Sequence, residues 1–304
     1  MDTSAYHWVT PRFDRMSHPP IPRCALVVPA SHPRMVAKAL ASGADEVVLD
    51  LEDAVAPEAK DAARAAVVEV LEGDAAPSLA VRINQVGTPW CHRDVLAVAD
   101  ALARDDRAVT LVVPKVESAA DVGFVERLLR GAAPGARVQV DVLVESAPAL
   151  RDLGAIVSAS SLVRAVVVGY ADLAADLGRD PGADPTLWDV VRHQVVVAAR
   201  AAGRAVIDGP WLGTAADDAF TRDRERARAL GFDGTWVIHP AQVEAATRTY
   251  SPSAEQLDWA ERIVSALEHS VAGGAGAVAL DGQMLDEAVA VRARAVLARA
   301  EALR

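Results

Sequence analysis

Cysteine is scarce in this sequence, which has two among its 304 residues, Cys24 and Cys91. Two cysteines cannot build a disulfide framework or a zinc knuckle. Aromatic residues make up 4% of the chain, too few for base-stacking platforms or the aromatic belts of membrane proteins. The sequence also lacks an uncharged apolar run of roughly eighteen residues, which argues against a membrane-spanning helix.

Positive charge is in short supply as well. Lysine and arginine number 31 against 42 aspartates and glutamates, so the formal net charge is −11. A nucleic-acid-binding protein normally presents a basic face, and we therefore expect no nucleic-acid partner. The N-terminal segment has no apolar stretch typical of a secretory signal. Together these features predict a cytoplasmic protein without a membrane or nucleic-acid partner.

What the sequence does contain is one pattern, repeated along most of the chain. Short runs rich in β-branched residues end in polar side chains, and an alanine-rich amphipathic stretch follows most of them. The runs are ALVVPA (25–30), EVVLDLED (46–53), LAVRIN (79–84), VTLVVPK (109–115), VQVDVLVES (138–146), RAVVVGYAD (164–172), RAVIDG (204–209) and TWVIHP (235–240). Their spacing, about 30 residues, is that of a βα unit.

This pattern predicts an α/β fold, a (β/α)8 TIM barrel with a C-terminal helical lid or extension. The runs do not alternate in polarity, which indicates a parallel sheet buried on both faces. No GxGxxG motif follows the first run, which disfavours an open dinucleotide-binding sheet. We expect an irregular arm over residues 1–22, the barrel over 23–252, and helices over 253–304 that cover the barrel mouth or contact a neighbouring subunit.

Polar and charged residues follow the strands where a barrel carries its active site. They are Asp50, Glu52, Asp53, Arg82, Asn84, Lys115, Glu117, Glu145, Asp172, Asp208 and His239. Charges converging at one mouth are costly unless they are paired or bind a metal, so the set predicts a functional site. For Lys115 and Asp208, a loop charge or a strand-end salt bridge is an equally good interpretation.

Two acids and one arginine stand out in that set. Glu145 and Asp172 end consecutive runs, and paired carboxylates suit Mg2+ first and Mn2+ second; the alternative is two structural acids. Arg82 ends an otherwise apolar run and needs an anionic partner, either Glu52 or Asp53, or an oxyanion that develops in the reaction.

A small positive patch is expected on the first helix. Arg34 and Lys38 are four residues apart, so both lie on one helix face. The pair suits phosphate groups, and an ordinary solvated helix face explains the spacing equally well.

Eight segments together resemble a known family. They are VVPASHPRMVAKALASGADEVVLDLEDAV, VRIN, VVPKVES, VLVES, VVVGYADLAADLG, VIDGPW, GFDGTWVIHPAQV and GQMLD. In order and spacing they are similar to the citrate lyase beta-subunit-like family of the HpcH/HpaI aldolase superfamily, which includes malyl-CoA and citramalyl-CoA lyases. The resemblance covers residues 23–295.

The resemblance implies a homo-oligomer, a trimer or sometimes a hexamer, that makes or breaks a carbon–carbon bond beside a CoA thioester with Mg2+. It implies Glu145 and Asp172 as metal ligands, with Glu145 also near the substrate, and Arg82 on the substrate carbonyl. Apart from the resemblance, the positions of Glu52 and Asp53 beside Arg82 lead us to expect them in the catalytic set, as acids that orient its guanidinium. The remaining roles implied are CoA contacts by Arg34, Lys38, Ile238 and His239, and acid/base catalysis by Asp286 delivered from an adjacent subunit.

We therefore expect a carbon–carbon lyase that converts a 3-hydroxyacyl-CoA such as malyl-CoA or citramalyl-CoA to an acyl-CoA and a 2-oxo acid. A thioesterase on the same site is one alternative. A citrate lyase beta subunit, acting on an acyl-carrier thioester, is another. A barrel that only binds or assembles is a third, disfavoured because the proposed site residues are all present.

Overall fold

The computed structural model describes residues 20–74, 77–103, 107–180, 184–272, 278–280 and 283–303. Its centre is a closed barrel of parallel strands in sequence order, which β1 and β8 close by pairing with each other. The strands are β1 (Cys24–Pro29), β2 (Glu46–Asp50), β3 (Ser78–Arg82), β4 (Val109–Val113), β5 (Val138–Val144), β6 (Val163–Val168), β7 (Ala205–Asp208) and β8 (Gly234–Val237). The predicted (β/α)8 barrel is confirmed.

Helices connect the strands and continue after the last one. They are α1 (Pro33–Leu40), α2 (Lys60–Glu72), α3 (Cys91–Leu102), α4 (Ala119–Ala132), α5 (Ala147–Arg151), α6 (Leu153–Val157), α7 (Tyr170–Asp176), α8 (Asp189–Ala201), α9 (Asp218–Leu230), α10 (Val243–Tyr250), α11 (Ala254–Ala272) and α12 (Glu287–Ala302). None of the helices in the described ranges combines the length and apolar character needed to span a bilayer.

Polar side chains mark the starts of several helices, and a glycine marks the end of one. Ser118 and Asp121 form a capping box at the start of α4, and Asp217 accepts a hydrogen bond from the Phe220 amide at the start of α9. These acceptors satisfy amides that lack a partner within the helix. At the other end of α9, Gly231 has a φ of 110°, in the left-handed region that favours glycine.

Alternate residues of each strand face opposite sides of the sheet. One buried cluster contains residues from all eight strands and none from a helix, so it fills the barrel interior; Val48, Ala80 and Leu143 belong to it. Val47 and Leu49 belong instead to the larger cluster shared with the helices. This alternation places Asp50, Arg82 and Glu145 on the interior side, because each follows an interior residue by two positions.

The alternation also corrects two expectations about the mouth. Asp208 follows the interior residue Ile207 by one position, so it faces the helix layer and not the mouth. Asp172 does not end the sixth strand, because β6 stops at Val168 and Asp172 lies in the first turn of α7. The sixth run is thus a strand and a helix start joined by Gly169.

Tyr250 and Ser251 mark the boundary between two compact units of the described chain. In the second unit, α11 packs against α12 through a small apolar core that includes Ile263, Leu267 and Ala293. Two short antiparallel strands, β9 (Val278–Leu280) and β10 (Gln283–Leu285), lie between the helices in sequence. At the start of α11, Ser253 accepts a hydrogen bond from the Gln256 amide. Residues 1–19 of the predicted N-terminal arm lie outside the described residues.

Candidate active site

Arg82 is held at the carboxyl end of β3 by two acids. Asp50 is its partner in the β2–β3 register and accepts from Arg82 Nε and Nη2 at 2.7 and 2.6 Å. Glu52 Oε2 lies 3.2 Å from Arg82 Nη1. Burial disfavours the charged guanidinium, but the three acids Asp50, Glu52 and Glu145 outweigh it and raise the pKa of Arg82. The guanidinium is therefore fixed, permanently charged and aimed at the mouth.

This arrangement corrects the predicted pairing in part. Glu52 is an ion partner of Arg82 as expected, whereas Asp53 is not and instead lies 3.5 Å from Lys115 Nζ. The main partner, Asp50, was named among the strand-end residues but given no role. The signal available in the sequence was that Asp50 and Arg82 stand near the ends of consecutive runs. Asp50 also accepts from the Glu52 and Ala54 amides, which fixes the following turn.

A buried lysine secures the loop that carries Glu52. Lys60 Nζ donates to the carbonyls of Leu51 and Glu52, both at 2.7 Å, and lies 5.5 Å from the Trp90 ring centre. Burial lowers the pKa of Lys60. Because a buried ammonium without acceptors is expensive, these carbonyls are held firmly, and with them the backbone beneath Glu52.

Glu145 is a buried acid of the mouth whose charged form is disfavoured. It is 4% exposed, and among the described residues its Oε2 atom has no hydrogen-bond partner. Burial, together with the nearby charges of Glu52 and Asp172, raises the pKa of Glu145 to about 8. Burial likewise raises the pKa of Glu52 to about 7, against the opposing effect of Arg82. Two carboxyl groups at one mouth are thus short of positive charge.

Gly169 provides the space that Glu145 occupies. A Cβ atom on Gly169 would lie 2.4 Å from Glu145 Cγ and 2.8 Å from Oε1. Any side chain there would displace the carboxylate, so the glycine between β6 and α7 belongs to the site. Sequence reasoning gave this residue no role.

Asp172 and Lys115 complete the cluster. Lys115 Nζ lies 3.2 Å from Asp172 Oδ1, and the lysine follows β4 while Asp172 opens α7. Burial lowers the pKa of Lys115, but Glu52, Asp53 and Asp172 outweigh it and the net shift is upward. The mouth thus gathers Arg82, Glu52, Asp53, Glu145 and Asp172, all of them predicted site residues.

The predicted CoA-binding residues follow the first and the last strand of the barrel. Arg34 and Lys38 are exposed on α1 and form no ion pair within the described residues. Ile238 and His239 follow β8, and His239 Nδ1 accepts from the Ala241 amide at 3.2 Å. Both are exposed. Their roles stay predictions.

Asp286 belongs to the second unit. It is the N-cap of α12 and accepts from the Val289 amide at 3.1 Å. Its carboxylate is exposed. This local capping is compatible with the predicted acid/base role, which stays a prediction.

Asp208 takes part in a separate buried network. It contacts Arg224 at 2.9 Å and Arg192 at 3.3 Å, and it accepts a hydrogen bond from the Tyr170 hydroxyl. Asp223 accepts two further hydrogen bonds from Arg192. The structural interpretation of Asp208 is therefore the right one, because its charge is neutralised among helices.

The family model described as HpcH/HpaI aldolase/citrate lyase matches residues 23–240. The chain belongs to this family. An HpcH/HpaI relative, the L-malyl-CoA/beta-methylmalyl-CoA lyase of Cereibacter sphaeroides, is 32% identical over 92% of this chain and 94% of its own. The (3S)-malyl-CoA thioesterase of the same species is 33% identical, covering 95% and 98%. The predicted family is confirmed.

A solved structure gives the same result. Protein CitE of Mycobacterium tuberculosis, in complex with magnesium, acetoacetate and coenzyme A, is 34% identical. The match covers 94% of this chain and 99% of that chain, with a TM-score of 0.72. This chain thus shares its fold with a relative that was crystallised with magnesium and coenzyme A.

Proposed function

We propose that this chain is a Mg2+-dependent carbon–carbon lyase. It cleaves, or in reverse forms, a 3-hydroxyacyl-CoA thioester such as malyl-CoA or citramalyl-CoA, giving an acyl-CoA and a 2-oxo acid. The observation that carries the proposal is a fixed, charged Arg82 beside Glu145, a buried carboxyl whose Oε2 atom has no hydrogen-bond partner in the part of the chain that the structure describes. The malyl-CoA lyase relative supports the substrate class.

The residues present fit a divalent cation. Within the described ranges, Glu145 Oε2 is buried without a hydrogen-bond partner, which is costly unless a cation contacts it. The raised pKa values of Glu145 and Glu52 show the same shortage of positive charge. Glu145 and Asp172 would hold the ion, and oxygen ligands favour Mg2+, with Mn2+ as a substitute. Bound there, the ion supplies Lewis acidity that makes the substrate hydroxyl easier to deprotonate.

Arg82 acts on the charge that develops during cleavage. The C3 hydroxyl gives up its proton to solvent water, and the bond between C2 and C3 of the thioester breaks. The electron pair of that bond passes into the thioester as an enolate, and C3 becomes the carbonyl carbon of the 2-oxo acid. Arg82 stabilises the enolate oxygen, because Asp50 and Glu52 already hold the guanidinium in place and no reorganisation is needed. Asp53 orients the neighbouring Lys115.

We assign the final proton transfer to Asp286. It protonates the enolate carbon in cleavage and removes the same proton from the acyl-CoA in synthesis. In a homotrimer or hexamer it would be delivered by the C-terminal unit of an adjacent subunit. Arg34 and Lys38 would contact the CoA phosphates, with Ile238 and His239 close to the CoA moiety.

A mixing experiment tests the shared site. Glu145→Gln and Asp286→Ala proteins, each inactive alone, are unfolded, mixed in equal amounts and refolded together. If the two groups meet across subunits, about a quarter of the sites combine both intact residues and activity returns. A mixture as inactive as its components would contradict delivery from a neighbour. The two variants refolded separately are the control.

Product analysis tests the reaction itself. The purified chain is incubated with malyl-CoA and MgCl2, and glyoxylate is trapped with phenylhydrazine while free thiol is followed separately. Lyase activity gives glyoxylate and acetyl-CoA without free thiol. Malate and free CoA instead would establish the thioesterase reaction, which the 33% identical thioesterase relative makes the second candidate. Turnover of free CoA esters would also exclude a requirement for an acyl-carrier protein.

A further inference from the structure

Lys115 has an unusual backbone. Its φ is 49°, and it is the one non-glycine residue with a positive φ within the described ranges. A lysine gains nothing from that conformation, which persists only where surrounding contacts hold it, and such residues cluster at functional sites. Lys115 lies two residues after the carboxyl end of β4, at the barrel mouth.

The side chain of Lys115 bridges two acids from different elements. Its Nζ atom lies 3.2 Å from Asp172 Oδ1 and 3.5 Å from Asp53 Oδ2. The ammonium therefore contacts one of the two carboxylates that the proposed function gives to the metal. The lysine side chain is 28% exposed and Asp172 is 44% exposed, so a small anion from solvent can reach this pair.

We propose that Lys115 couples metal binding to substrate binding. In the metal-free site it serves as the counter-ion of Asp172. When Mg2+ arrives together with the anionic 2-oxo acid, the ammonium leaves Asp172 to the metal and binds the carboxylate of the acid. This inference rests on the proposed function, because it takes Asp172 as a metal ligand.

Electrostatics gives the direction of the effect. A positive charge in contact with a metal ligand weakens Mg2+ binding, both by repulsion and by competition for the carboxylate. A substrate carboxylate that accepts from the ammonium removes that competition, so each ligand strengthens the other by the same factor. Lysine suits this exchange, since it carries three donors on a flexible stem and can change partners.

Three variants separate charge from backbone strain. Lys115→Asn and Lys115→Gly both remove the charge, and both residues tolerate a positive φ, glycine without strain. Lys115→Arg keeps the charge. Circular dichroism and thermal unfolding first establish that each variant is folded. Titration calorimetry then measures the Kd of MgCl2 with and without saturating glyoxylate.

For the wild type and Lys115→Arg, we expect glyoxylate to tighten Mg2+ binding at least about fivefold. Lys115→Asn and Lys115→Gly should bind Mg2+ alone about three- to tenfold more tightly than the wild type, and glyoxylate should tighten Mg2+ binding by a smaller factor than in the wild type. A merely structural lysine would not give tighter metal binding on removal.

Equal or weaker Mg2+ binding by the two neutral variants would overturn the proposal, as would a glycine variant that differs from the asparagine variant. Absence of Mg2+ binding to the wild type with glyoxylate present would instead refute the metal site of the proposed function. Binding that is equal in the wild type and in Lys115→Asn refutes the role of Lys115 alone.

Discussion

Replacing Glu145 by glutamine should remove much of the pH dependence of the metal-free protein's stability. The pKa of this carboxyl is raised to about 8, mainly by burial. The folded state therefore keeps its proton where the unfolded state has lost it, and the folded state binds more protons. Stability accordingly falls as pH rises from the ordinary glutamate pKa towards 8 and levels off above it. Glutamine does not ionise, so this contribution disappears.

The magnitude follows from the linkage relation. One proton bound in the folded state and absent in the unfolded state changes the free energy of unfolding by about 1.4 kcal/mol per pH unit. Between pH 5.5 and 7.5, Glu145 thus accounts for roughly 2–3 kcal/mol of lost stability. Glu52, whose pKa is raised to about 7, adds a smaller decrease in the same direction that the variant retains.

Urea unfolding of the metal-free proteins at pH 5.5, 6.5 and 7.5 provides the measurement. The wild type should lose stability over this range, and Glu145→Gln should lose roughly 2 kcal/mol less. Glu69→Gln, at an exposed position of α2, is the matched control and should follow the wild type. Added MgCl2 should restore the wild type at pH 7.5 and leave Glu145→Gln unchanged. Parallel pH profiles of stability for the wild type and Glu145→Gln would refute the inference that the pKa of this carboxyl is raised in the folded state.

Other substitutions test separate parts of the structure. Arg82→Lys should lower kcat by about 10²–10³-fold with a small effect on KM, because lysine cannot bond both oxygens of Asp50 and hold a donor towards the enolate; an unchanged kcat would contradict the role of Arg82. Gly169→Ala should weaken Mg2+ binding measured by calorimetry at least about tenfold, since its Cβ would lie 2.4 Å from Glu145 Cγ; wild-type affinity would show that Glu145 is not a ligand. Asp208→Asn should lower the free energy of unfolding, measured with urea, by about 3–5 kcal/mol, because two buried arginines lose part of their compensating negative charge. A decrease below about 1 kcal/mol would contradict the importance of that network.

Much of the fold was predictable because its signals are local. Eight buried, non-alternating runs separated by amphipathic stretches predict parallel strands joined by helices, and all eight strands are found. The mouth residues were predictable for a related reason, since the carboxyl ends of parallel strands meet at one face. Arg82, Glu52 and Glu145 lie there as expected. Asp172 lies in the cluster as predicted, but on a helix and not at a strand end. Helix α7 starts two residues after β6 ends, so the sequence reads as one continuous run.

The sequence by itself determined which strands and helices form, in what order they follow, and which charged residues end the strands. Only the tertiary structure decided which side each residue faces and which partner it takes, because closure and register involve residues far apart in the chain. Register pairs Arg82 with Asp50 and leaves Asp53 to Lys115. The alternation of side chains along β7 likewise turns Asp208 towards Arg192 and Arg224. Burial in the closed barrel then gives Glu145 its raised pKa, a property that no local pattern carries.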